Sequence, residues 1–183
     1  MAHTAKEELR TLIRRVRDLA GGLDPETFNR RPAESSWSAG ECIEHLNDTA
    51  RTYLPVLSDA IRDAREEGLS GQGGDGRTWL GRLVAWSMEP PPKRFSRMKT
   101  FPELEPAADL DPAVTVDAFA ELHEALIARL DEAAVLDLKR VKVRSVLDRR
   151  LKLSLGDWFA FLAAHGRRHL WQAERALETV RGG

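Results

Sequence analysis

A chain of 183 residues falls in the size range of one ordinary domain and can bury a core without disulfides or a structural metal. Its 28 lysines and arginines balance 29 aspartates and glutamates, and the pI is near 6.5, so no excess charge draws it to nucleic acid or to a membrane surface. Cys42 is the only cysteine, which excludes an internal disulfide framework and fits a reducing compartment. No apolar run approaches the ~20 residues of a membrane helix, and Met1 to Arg10 is polar, without a signal-peptide apolar stretch. The expectation is one cytoplasmic domain, residues 1–183.

In chain order, Leu9, Leu12, Ile13, Val16 and Leu19 recur at helical spacing and predict an amphipathic helix from Lys6 to Leu19, stopped by Gly21-Gly22. Asp24-Pro25 and Arg31-Pro32 punctuate a connector to Trp37. Ser38-Ala-Gly-Glu41 then has the form of a capping box and starts a second helix. Its inward stripe reads Cys42, His45, Leu46, Thr49, Tyr53 and Leu57, with a kink expected at Pro55. Gly68 to Gly76 is the most glycine-rich stretch, lacks a phosphate-loop pattern and reads as a mobile loop. Trp79 to Met88 predicts a short apolar helix closed by Pro90-Pro91-Pro92.

From there to Pro112 no periodicity survives, and this long connection (89–115) is expected to wrap across the helices. Phe119, Leu122, His123, Leu126, Ile127 and Leu130 mark a third long helix from Val116 to Ala134. Leu138 to Leu153 alternates basic and aliphatic residues and reads as an extended linker, a short strand being the alternative. Ser154-Leu-Gly-Asp157 is a second helix start, followed by the stripe Trp158, Leu162, His165, His169, Gln172 and Ala176 to about Val180.

Two histidines at i, i+4 set their rings over one point in space, and neutral imidazole is a preferred ligand for zinc and its first-row neighbours. His165 and His169 form such a pair, and His45 stands on the apolar face of another helix that a bundle could bring within reach. Buried, hydrogen-bonded core histidines are the alternative. His123 lies beside its helix's apolar stripe and reads as structural; His3 is set aside as terminal. Arg167 and Arg168 are expected on other faces of the last helix, in solvated or dimer-facing roles. Cys42 reads as a small core residue, and Trp37, Trp158 and Trp171 as core bulk of which one or two line a pocket. The basic residues from Lys139 to Lys152 lack aromatic interleaving and read as a solvated face.

The segment Trp37-Ser-Ala-Gly-Glu-Cys-Ile-Glu-His45-Leu, with His165-Gly-Arg-Arg-His169-Leu-Trp-Gln172 near the end and the basic, aromatic Pro92 to Pro102 between them, resembles the DinB-like (YfiT-like) superfamily over roughly Phe28 to Leu177. That resemblance implies an all-α fold, a four-helix bundle with a long connection between the second and third long helices. It implies that His45, His165 and His169 bind a divalent metal, zinc or nickel, in what is frequently a homodimer. It implies a transferase using an activated low-molecular-weight thiol, or a hydrolase using activated water, with a small-molecule substrate and with Gln172 orienting substrate or water. A non-catalytic metal-binding or stress-associated bundle, and a metal-free structural one, are the alternatives. An open coordination position beside a cavity, a closed metal site, or histidines bonded to one another or to backbone would distinguish the three readings.

Overall fold

The computed structural model describes residues 2–71, 74–92 and 104–182. In chain order it contains α1 (Ala2–Ala20), α2 (Pro25–Asn29), α3 (Ala39–Glu66), α4 (Trp79–Met88), α5 (Pro112–Glu132), β1 (Lys142–Arg144), β2 (Lys152–Ser154) and α6 (Leu155–Gly182). The long helices α1, α3, α5 and α6 form the bundle. α3 packs on α5 and α6, as does α1, so α1 and α3 occupy one diagonal of the bundle. No helix among the described residues is long and apolar enough to cross a membrane.

The helix starts follow from local chemistry. Ser38 Oγ accepts from the Glu41 amide at 3.1 Å, and the Glu41 carboxylate accepts from the Ser38 amide at 2.8 Å, which satisfies two of the amides orphaned at the start of α3. Glu41 is buried and its charge is met by an ion pair with Arg31. Cys42, His45, Leu46, Thr49, Tyr53 and Leu57 are all buried, as the stripe predicts. The expected kink at Pro55 does not interrupt α3: Pro55 is exposed, where a carbonyl left without its helical donor can be hydrated.

Asp157 does more than cap α6. It exchanges hydrogen bonds with Ser154, taking the Ser154 amide at 3.3 Å and giving its own amide to Ser154 Oγ at 3.1 Å. It also accepts the Thr78 amide at 2.8 Å and the Thr78 hydroxyl at 2.7 Å. Thr78 is the N-cap of α4, so one buried carboxylate fastens the start of α4 to the start of α6. Gly81 permits this approach, since a Cβ there would lie 1.9 Å from the Asp157 carboxyl group.

Several expectations are corrected. The connector before Trp37 contains α2, which Asp24 caps through the Thr27 amide at 2.9 Å. α5 starts at Pro112 and not at Val116, because Asp111 caps it and a proline in the first turn lacks only an amide that the helix does not use. The stretch read as an extended linker is a hairpin: β1 pairs antiparallel with β2, Val143 opposite Leu153, with both side chains buried and the flanking Lys142, Arg144 and Lys152 exposed.

The glycine-rich segment was expected to be mobile. Of it, Gln72 and Gly73 lie outside the described residues, while its flanks are tied down. Ser70 bridges to Leu136, and the Gly76 carbonyl accepts from Ser154 Oγ at 2.6 Å. Gly76 has φ +64°, and a Cβ there would meet Leu138 at 2.4 Å, so both conformation and contact require glycine. In the long connection, residues 93–103, and with them most of the Pro92 to Pro102 motif, lie outside the described residues. Its later part lies against α3 and α2: Leu104 is buried beside His45, and Leu110 exchanges two hydrogen bonds with Asn29.

Candidate metal centre

α3 and α6 pack side by side, and their inward stripes bring His45 against His165 and His169. One ring nitrogen from each of the three lies within 4.8 Å of the others. His45 Nδ1 donates to the Leu104 carbonyl at 2.9 Å. A carbonyl can only accept, so this bond fixes the tautomer and turns the lone pair of His45 Nε2 toward α6. There it stands 3.3 Å from His165 Nε2.

That spacing suits an ion. Two nitrogens each ~2.0–2.1 Å from one tetrahedral metal lie about 3.3–3.4 Å apart. It also suits a hydrogen bond from His165 to His45, but such a bond leaves the other nitrogen unexplained. Nδ1 of His165 and Nδ1 of His169 are both buried without a hydrogen-bond partner, as is Gln172 Oε1 one turn further along α6. Buried polar atoms are seldom left so. No fourth His, Cys, Asp or Glu joins the cluster among the described residues.

The electrostatics favour neutral rings. Burial pushes the pKa of His45 below its ordinary value. It does so more strongly for His165 and His169, where the neighbouring histidines and the Arg168 charge add to the effect. A metal binds the unprotonated imidazole, so these shifts keep the ligand form available at neutral pH. Trp37 packs against two of the rings, with centroids 4.9 Å from His45 and 5.8 Å from His169, and Phe161 stacks on His165 at 5.5 Å. The cluster opens into a cavity of about 1070 Å³, whose walls include Tyr53, Trp158, Trp171 and Gln172. This is ample room for a small organic ligand.

The other sequence candidates separate cleanly. His123 is buried, donates Nδ1–H to the Phe119 carbonyl at 2.9 Å, stacks on Phe119 and stands outside the cluster. Burial pushes the Cys42 thiol up to about 12, which leaves it an inert core group. Arg167 points away from the cavity and pairs with Glu8 and Glu89. Arg168 does not follow it. Its residue is only 9% exposed and it lines the cavity with His165 and His169. The available signal was its i+3 relation to His165, which puts it within 60° of that histidine around the helix.

A family model described as the DinB superfamily matches residues 8–173. The uncharacterized protein YuaE of Bacillus subtilis (strain 168) is 26% identical over 163 residues, which cover 87% of this chain and 88% of that protein. No solved structure matches the chain. The family match takes in all three clustered histidines and Gln172 on a four-helix scaffold, and the chain belongs to the DinB superfamily.

Proposed function

We propose that this protein is a metal-dependent enzyme in which His45, His165 and His169 hold one divalent ion, zinc or nickel, at the inner end of the cavity. The observation that carries the reading is the cluster itself: three neutral imidazoles, one set in its tautomer by the Leu104 carbonyl, two with unpartnered buried nitrogens, beside a space for a small molecule. Such an ion supplies Lewis acidity, which makes the proton of a thiol or a water easier to remove near neutral pH. The reactions that fit are transfer to a low-molecular-weight thiol and hydrolysis.

The chain's own contributions are positioning ones. Leu104 orients His45, Trp37 and Phe161 brace the rings, and Gln172 Oε1 offers an acceptor to an O–H, N–H or S–H of a ligand. Restricting water beside the cluster is the part played by Trp158 and Trp171 in the cavity wall. The same reading includes a homodimer and a cytoplasmic location. A metal-free bundle draws support from His45, which touches both a backbone carbonyl and His165. It gives no account of the two orphaned Nδ1 atoms.

The test is elemental analysis of tag-free protein beside a His45→Ala, His169→Ala double variant. Near-stoichiometric metal in the parent and little in the variant supports the reading. A parent that stays empty after incubation with zinc and nickel overturns it.

A further inference from the structure

The cavity holds one buried side-chain charge besides the histidine cluster, and it is positive. Arg168 lines the wall shared with His165 and His169, while the other charged residues around the cavity that bear on a ligand's charge lie further out. Arg175 is exposed and paired with Glu178. Glu105 and Asp148 are exposed acids. Taking a guanidinium out of water is unfavourable, and helix geometry did not require it: Arg167, one residue earlier, reaches carboxylates at the surface. The planar fork of arginine matches a carboxylate in two parallel hydrogen bonds, and a guanidinium keeps its charge at any ordinary pH. On the same wall, Gln172 Oε1 is buried and lacks a donor, a second sign that a polar ligand completes this surface.

We propose that Arg168 is the substrate-recognition residue of this cavity and that the thiol or hydrolysable substrate carries a carboxylate, held by Arg168 while its reactive end faces the three histidines. The inference rests on the metal reading above and narrows its substrate class. A monoanion is indicated over a phosphate dianion, since a single buried guanidinium faces the cavity and the exposed Glu105 and Asp148 repel higher negative charge.

The test uses cobalt(II) as a coloured stand-in for the resident ion in tag-free protein, with 3-mercaptopropionate and its uncharged counterpart 3-mercapto-1-propanol as probes. Thiolate binding is read from the sulfur-to-cobalt absorption. The parent should bind the carboxylate thiol about tenfold or more tightly than the alcohol, the range of a charge-assisted hydrogen bond. Arg168→Gln should bring the two within about twofold while keeping the ligand-field spectrum of bound cobalt, and Arg168→Lys, which keeps charge but loses the fork, should fall between. If Arg168→Gln does not fold, Arg168→Lys alone decides, with an unchanged preference counting against the proposal. Equal binding of the two thiols by the parent, or a preference that survives in Arg168→Gln because the carboxylate chelates cobalt by itself, overturns it. Absence of any protein-bound cobalt spectrum in the parent instead overturns the metal reading and this inference with it.

Discussion

Replacing His169 with leucine separates a binding histidine from a structural one, because the two roles predict opposite signs in metal-free protein. His169 is buried with Nδ1 unpartnered. An unsatisfied buried polar atom costs about 1–3 kcal/mol. Leucine removes that atom at similar volume, with an imperfect fit costing less than about 1.5 kcal/mol. The metal-free variant should therefore be more stable than the parent by ~1 kcal/mol, a rise in Tm of roughly 2–4 °C for a chain of this size. Metal reverses the order. At one hundred times its Kd a ligand adds ~2.7 kcal/mol to the parent, or roughly 5–11 °C, whereas the variant, left with two ligands, should gain little. Scanning calorimetry with chelator and then with zinc reads both numbers. A metal-free variant less stable than the parent would refute the argument from the orphaned nitrogen, and an equal rise with zinc in both proteins would refute the assignment of His169 as a ligand.

Two further outcomes follow from the same geometry. Burial pulls His123 down to about 4 from the ordinary 6.5, so between those values the unfolded chain takes up a proton that the folded chain refuses. Stability is full above about pH 6.5 and declines as pH falls toward 4, by up to ~1.36 kcal/mol per pH unit for this group. In urea titrations at neutral and mildly acid pH, His123→Leu should lose that part of the slope; curves parallel to the parent's would contradict it. Asp157→Ala strips buried hydrogen bonds from Ser154 and Thr78 at the starts of two helices and should cost ~3 kcal/mol or more. The urea midpoint measures it, and a loss under ~1 kcal/mol would show that α4 is not fastened through this carboxylate.

Everything that acts over four residues or fewer was legible in the sequence. The apolar stripes, the Ser38–Glu41 and Ser154–Asp157 caps and the His165, His169 pair each follow from one turn of helix, and the structure has them where the pattern put them. Starts written in less familiar chemistry, Asp24-Pro25 and Asp111-Pro112, were equally local but were read as connectors, and the α2 cap and the first turn of α5 were missed for that reason. Only the tertiary structure could pair Val143 with Leu153, since a three-residue strand owes its existence to its partner and to the core beneath it. The same holds for the site. His45 meets His165 across 120 positions of chain and the Leu104 carbonyl across 59, contacts that depend on how α3 and α6 pack. Arg167 and Arg168 are adjacent and chemically identical, and what sends one to surface carboxylates and the other to the cavity wall is the rotation of α6 about its own axis, which is set by the apolar residues it buries.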